Sequence, residues 1–346
     1  MISQKEIDGK PPLIEVSGDS FQKGVQLGLL LGDDINALRA LDEQFIHRMP
    51  VSDSSLQPRL QKYAALLEQY MPEVHGHLTG IAKGAERSFA DILALQYRRE
   101  LSVDSDDCSL FALNQNGNQL LAQTIDLQHF VAPFGCVVRE SDQNGEPETL
   151  MYSLTGLAGY LGINKHGLAV GINMVRSTDW QIGVAPYLLV RHLLSLPDVE
   201  ACIKELARIP RASSRTLVLL DTKQLATVEM SAKTMEFWYS DKIVHTNHYV
   251  HPQMATFDAD MKTPSTEERL SRLTQLVEQH QGPWQGKQVL ETLSDHQGQH
   301  GALCCHGNSP LAADTIAAVY MEPLQKRLYA IKGNPCHSKQ FYGFEL

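Results

Sequence analysis

Cys108-Ser109-Leu110-Phe111-Ala112-Leu113-Asn114-Gln115-Asn116-Gly117-Asn118-Gln119-Leu120-Leu121-Ala122-Gln123-Thr124-Ile125-Asp126 reads as two strands joined by a tight turn. Apolar runs flank an Asn-Gly pair, and both residues accept the positive φ that a two-residue hairpin turn needs. A turn at Asn116-Gly117 sets Gln115 opposite Asn118. Counting back along both strands, Cys108 falls opposite Ile125, and Asp126 lies beside Cys108 at the open end. A slip of one residue would move each side chain to the other face. In this register a thiol and a carboxylate meet. A thiol at the start of a strand fits an ordinary strand-edge Cys or a nucleophile.

The first hundred residues read as helical. Asp19 or Ser20 caps a helix carrying Phe21, Val25, Leu29, Ile35, Leu38, Leu41 and Phe45, which Pro50 ends. Further helices fit residues 56–70, 74–82 and a segment opened by Ser88. Beyond the hairpin, strands fit 216–220, 225–230, 235–239, 243–246, 315–321 and 327–331, and helices fit 187–196, 199–209, 267–279 and 287–293. Helices followed by many antiparallel strands predict an α+β fold with layers of helix packed on sheet. The polar stretch 141–148 reads as a surface loop.

The chain has 346 residues, 43% of them apolar and 20% charged, which suits a globular enzyme. Its net charge of −10 argues against nucleic acid as a partner, because phosphate contacts need clustered Lys and Arg. No uncharged apolar window reaches the length of a membrane span, about 18 residues. Residues 1–12 are polar with no apolar signal core, so the expected location is cytoplasmic. The six cysteines include no CxxC pair. Cys136, Cys202 and Cys336 read as small buried hydrophobes. Cys304-Cys305-His306, with His300 nearby, is rejected as a metal site, since adjacent cysteines do not readily share one tetrahedral ion. No metal and no cofactor are expected.

The segments Asp107-Cys108-Ser109-Leu110 and Gln123-Thr124-Ile125-Asp126 resemble the start of the mature chain in the acyl-CoA:6-aminopenicillanic acid acyltransferase family. That family belongs to the N-terminal nucleophile hydrolases and includes hydrolases of β-alanyl amides. Upstream, Gly80-Ile81-Ala82-Lys83-Gly84-Ala85 and Asp91-Ile92-Leu93-Ala94-Leu95 are similar to its propeptide helices. Downstream, Thr155-Gly156-Leu157-Ala158-Gly159-Tyr160-Leu161-Gly162 resembles its Gly-rich segment, and His245-Thr246-Asn247-His248 its HTNH segment. Thr315 through Gly333-Asn334-Pro335 resembles its last hairpin. Asp126 follows Cys108 by eighteen residues, the family's spacing. Two positions depart from it: Asp107 stands where Gly is common, and Leu303-Cys304-Cys305-His306 lacks an expected Arg.

The resemblance implies a four-layer αββα fold with antiparallel sheets, split into a helical propeptide, 1–107, and a catalytic part, 108–346. These remain together as one compact unit, the cleaved fragment being the partner of the rest. It implies self-cleavage between Asp107 and Cys108. The Cys108 thiol is then the nucleophile and its new α-amine, with a reference pKa of about 7.7–8.0, the base. Asp126 orients that amine, and Asn247 donates its amide N–H to the oxyanion. Read locally, the same residues are a strand-end Asp and a turn-forming Asn. His248, Gly159 and Tyr160 stand behind them in support. Gly156, Gly159 and Gly162 either admit substrate to backbone N–H groups or simply make turns. The implied substrate is a small acyl amide, with acyl-CoA as a potential donor. Two alternatives stay open: an uncleaved thiol hydrolase pairing Cys108 with His248, and a non-catalytic binder of acyl amides.

Overall fold

The structure, a computed structural model, describes residues 9–46, 56–101, 107–115, 117–141, 145–258 and 260–346. The first part holds β1 (Leu13–Ser17), α1 (Ser20–Ile46), α2 (Gln57–Tyr70), α3 (Pro72–Gly84) and α4 (Phe89–Gln96). Next come β2 (Leu110–Gln115), β3 (Asn118–Gln128), β4 (Gly135–Ser141), β5 (Thr149–Leu154), β6 (Leu161–Asn164) and β7 (Ala169–Met174). Then follow α5 (Pro186–Leu193), α6 (Val199–Arg208), β8 (Arg215–Leu220), β9 (Leu225–Met230), β10 (Met235–Tyr239) and β11 (Lys242–His245). The chain closes with α7 (Pro264–Gln279), α8 (Gly286–Leu293), β12 (Ala313–Glu322), β13 (Arg327–Lys332) and β14 (Tyr342–Glu345). No helix among the described residues is long and apolar enough to cross a membrane.

The strands form two sheets, ordered β1-β4-β5-β6-β7-β8-β9-β10 and β11-β2-β3-β12-β13-β14. The sheets face each other, with β2 and β3 against β7, β8 and β9. Helices α5 and α6 pack on the outside of the first sheet, and α7 and α8 on the outside of the second. This is the expected αββα layering. Among the described strands, pairing is antiparallel except where β1 joins β4 in parallel. That strand, contributed by the first part, was not foreseen.

The hairpin explains the layering. Leu110, Ala112, Leu121 and Ile125 point into the core between the sheets. Phe111, Leu113, Leu120 and Ala122 point the other way, onto Leu273, Val277, Val289 and Leu293 of α7 and α8. A strand buried on both faces reads as a continuous apolar run, as this one does. The register is the one expected: Gln115 faces Asn118, Leu110 faces Gln123, and a bridge joins Asp107 to Asp126. Gly117 takes a φ of 75° in the turn. Asn116, the other turn residue, lies outside the described residues, as do 142–144 of the expected surface loop.

Ser88 caps α4 as expected, its hydroxyl accepting the Asp91 N–H at 3.1 Å. Helices α1 and α3 cross at glycines. A Cβ on Gly24 would stand 2.1 Å from the His77 carbonyl, and one on Gly80 would stand 2.2 Å from the Phe21 carbonyl. The backbones therefore touch, and larger residues there would force the helices apart.

Candidate active site

Cys108 sits just before β2, where the inter-sheet face of the hairpin turns its side chain inward. It is 1% exposed. Its backbone is held from several elements. The Cys108 N–H donates to Asn247 Oδ1, just past β11, at 2.9 Å. Its carbonyl accepts from Asn173 Nδ2 of β7 at 3.1 Å and from Arg269 Nη1 of α7 at 3.0 Å. The carbonyl before it, that of Asp107, accepts the Asp126 N–H at 3.0 Å. The Cys108 Sγ lies 3.8 Å from the Tyr160 hydroxyl, and that ring stacks on Tyr187.

Asp126 is buried on β3. Thr315 of β12 donates its hydroxyl to Oδ1 at 2.7 Å, and Thr124 reaches Oδ2 at 3.4 Å. Burial raises the Asp126 carboxyl to about 7, against the lowering pull of the Arg269 guanidinium. Burial also pushes the Cys108 thiol up to about 11, and the Asp126 carboxylate adds to this. In the intact chain Cys108 is thus a neutral thiol near pH 7.

Arg269 ties the group together. Its Nη2 donates to Asn247 Oδ1 at 2.9 Å and pairs with the Asp107 carboxylate at 3.2 Å. Sequence reading misses it. Its one signal is position: Thr266, Arg269, Leu273 and Val277 form the buried stripe of α7, and an Arg on such a stripe needs partners. The guanidinium beside Cys108 therefore comes from α7 and not from residues 303–306. Asn173, the polar residue of an otherwise apolar β7, and Thr315 of β12 are likewise missed.

Asn247 differs in one respect from the expectation. Its Nδ2 donates to the Met174 carbonyl at 2.9 Å, while Oδ1 accepts from Cys108 and Arg269. Two donors at one end and a carbonyl at the other set the orientation of the amide. One of the two N–H groups on that nitrogen is therefore taken up by the Met174 carbonyl.

His248 turns away from the thiol. Its Nδ1 lies 3.0 Å from the Thr266 hydroxyl, and burial holds the ring down to about 4. Among the described residues no hydrogen bond joins it to Cys108, so the geometry does not pair these two. A Cβ on Gly159 would stand 3.4 Å from Arg191, so the space there does not require a glycine. Gly156, with a φ of 82°, makes a turn whose carbonyl accepts from Gln96 Nε2 of α4 at 2.7 Å.

The adjacency of Cys304 and Cys305 rules them out as joint ligands, and the structure indeed separates them. Cys305 faces Thr315, with its N–H on that hydroxyl at 2.9 Å. Cys304 instead meets Cys336, which is half-buried and not a plain core residue, with sulfurs 3.6 Å apart. Counting only neighbours in sequence overlooked this grouping.

A family described as acyl-coenzyme A:6-aminopenicillanic acid acyl-transferase matches residues 113–337. The chain belongs to that family. The matched span of this acyltransferase family includes Asp126, Asn247 and Arg269 and begins just after Cys108. A curated relative, the 40 kDa form of acyl-coenzyme A:6-aminopenicillanic-acid-acyltransferase from Emericella nidulans, is 26% identical over 207 residues. That stretch covers 57% of this chain and only 57% of the relative. Among solved structures, penicillin V acylase from Agrobacterium tumefaciens aligns with a TM-score of 0.46 and 12% identity, covering 69% of this chain and 86% of its own. A mutant of conjugated bile acid hydrolase from Clostridium perfringens aligns with a TM-score of 0.48 and 11% identity, covering 69% and 92%.

The raised Asp126 predicts a pH effect on stability. Between about pH 4 and 7 the folded chain keeps a proton that the unfolded chain has lost. This contribution is fully present below the ordinary carboxyl value and is lost as pH rises through about 7. Its size is on the order of a few kcal/mol. His248 titrates over a similar window with the opposite sign, since acid must charge a ring that burial keeps neutral. Comparison with Asp126→Asn isolates the carboxyl. In a Cys108→Ala background, Asp126→Asn should remove the stability loss between pH 4.5 and 7.5. Equal urea midpoints at both pH values, with and without the Asn, would contradict this.

Proposed function

We propose that this chain is a cysteine amide-bond acyl-transfer enzyme that activates itself by cutting its Asp107–Cys108 peptide bond. One observation carries the reading. The buried Cys108 thiol follows a peptide carbonyl that Asp126 polarises, inside a backbone held by Asn247, Asn173 and Arg269. Family membership supports it.

In self-cleavage the Cys108 sulfur attacks the Asp107 carbonyl carbon. The C–N bond breaks, the nitrogen takes a proton and becomes the α-amine, and a thioester remains. Water hydrolyses the thioester, leaving a carboxylate on Asp107 and a free thiol on Cys108. The thioester formed with Asp107 is chemically the same kind of species as a substrate acyl-enzyme. The Asp107 carbonyl therefore marks where a substrate carbonyl sits, facing the Asp126 N–H.

In turnover the α-amine takes the thiol proton as sulfur attacks a small acyl amide, then returns it to the leaving amine. Its pKa near neutrality suits both transfers. Asn247 Oδ1 holds that nitrogen, Asp126 faces the ammonium, and Tyr160 packs beside the sulfur. Water or a second amine then takes the acyl group. An acyl-CoA, the donor class in the Emericella relative's name, enters at the same thioester.

The test is the state of the purified protein. Two fragments, 1–107 and 108–346, should appear by intact mass, the larger reading Cys-Ser-Leu-Phe from its N-terminus. They should co-elute without denaturant. β1 is a strand of the larger fragment's sheet, the Tyr97 hydroxyl donates to the Gly183 carbonyl at 3.0 Å, and Ser213 donates to Glu100 at 2.6 Å. Helices α1 to α4 bury apolar faces in the common core. A whole chain with full amidase activity would overturn the self-processing reading.

A further inference from the structure

Three separate segments converge behind Asp126. His296 follows α8, Cys304 and His306 lie in the loop before β12, and Cys336 lies in a turn after β13. Their ligand atoms all fall within 4.8 Å of one another. His296 Nε2 is 3.0 Å from His306 Nε2, and Cys304 Sγ is 3.6 Å from Cys336 Sγ. The cross distances from His306 Nε2 are 3.8 Å to Cys304 and 3.4 Å to Cys336. A tetrahedral ion with metal–sulfur bonds of about 2.3 Å and metal–nitrogen bonds of about 2.0–2.1 Å has edges close to these. They run to roughly 3.8 Å for S–S, 3.6 Å for N–S and 3.3 Å for N–N.

We propose that His296, Cys304, His306 and Cys336 form a structural zinc site. Two thiols and two imidazoles in a tetrahedron are a donor set that selects Zn²⁺ among common divalent ions. Four protein ligands leave no open position, so the ion braces the fold and does no chemistry on substrate. Binding releases the two thiol protons to solvent and involves no oxidation.

The brace acts where support for Asp126 begins. Cys304 donates its N–H to the Asp295 carbonyl, and Asp295 pairs with Arg272, one turn along α7 from Arg269. Cys305, the next residue, accepts the Thr315 N–H on its carbonyl and donates its own N–H to the Thr315 hydroxyl, which in turn donates to Asp126. Asn334, two residues before Cys336, donates to the Cys305 carbonyl at 2.8 Å. A metal linking Cys304 to Cys336 therefore clamps both sides of Cys305.

The experiment uses the full chain, purified under reductant, incubated with Zn²⁺ and passed through gel filtration. Metal analysis should find about one zinc per chain. Cys336→Ser and His296→Ala should lower this to about 0.1 or less, while Cys305→Ser, beside the cluster, keeps it. His296 is exposed, so its variant tests the site even if Cys336→Ser fails to fold. Co²⁺ in place of zinc should give tetrahedral ligand-field bands and thiolate charge transfer in wild type and neither in His296→Ala. A chelator should lower the Tm of wild type and leave that of folded His296→Ala unchanged. Wild type that retains no zinc, variants that retain as much, or a Cys304–Cys336 disulfide in reduced protein would each overturn the proposal.

Discussion

Cys108→Ala should leave the chain whole and silence it. A single species of full length is expected by intact mass. Amide turnover should fall by on the order of 10⁴ or more, the scale seen when a covalent nucleophile is removed. The reason is structural as well as chemical. Burial pushes the thiol up to about 11, so in the intact chain it has little reactivity toward an outside amide. It gains a base only when its own nitrogen is freed, and Ala can neither free that nitrogen nor attack a substrate. Cys108→Ser keeps a nucleophile of weaker kind, so a slow rise of the two fragments over hours to days separates the two variants. The substitution to Ala removes one small buried atom and leaves the backbone bonds to Asn247, Asn173 and Arg269 in place. Loss of activity would therefore not reflect loss of fold, which circular dichroism can check. If Cys108→Ala turns over amides at the wild-type rate, the nucleophile lies elsewhere and the proposed mechanism fails.

What could be read in advance follows the distance over which each feature is encoded. The hairpin is local: Asn-Gly and two apolar runs specify both turn and register, and Asp107 meets Asp126 as counted. The helices α2, α6 and α7 end close to the Pro, Asp and turn residues that mark them. β1 carries no such mark. Five residues, Leu13–Ser17, form a strand only because β4, more than a hundred residues on, offers an edge. Arg269 is of the same kind, since its partners arrive from the segment before β2 and the segment after β11. The identity of Asn247 is legible from its HTNH setting, but the direction of its amide depends on Met174 and Arg269, which sequence proximity does not supply. The His296, Cys304, His306 and Cys336 cluster depends on a turn after β13 folding back on a loop before β12, so no spacing rule finds it.

The direction of the Asn247 amide changes what its replacement should do. Oδ1 accepts from the Cys108 nitrogen at 2.9 Å, the atom that becomes the catalytic amine. Asn247→Ala removes that acceptor and leaves the Arg269 Nη2 without one partner. A loosely held base should cost on the order of 10²-fold in kcat, measured on protein whose cleaved fraction is known by mass. Asn247→Asp has a different signature. A carboxylate at that distance stabilises the ammonium form of the amine. The amine pKa then rises from its reference of about 7.7–8.0 by about one unit, with Arg269 offsetting part of the effect. Less amine is free at neutral pH, so the rising limb of kcat/KM, which reports the free enzyme, should move to higher pH by about that amount. The second carboxylate oxygen also faces the Met174 carbonyl, where an N–H now donates, so some loss remains even at the new optimum. An oxyanion donor would behave otherwise: its loss lowers the rate at every pH and leaves the limb where it was. A pH profile of Asn247→Asp that keeps the wild-type limb, with a uniform drop, would assign Asn247 to the oxyanion and not to the amine.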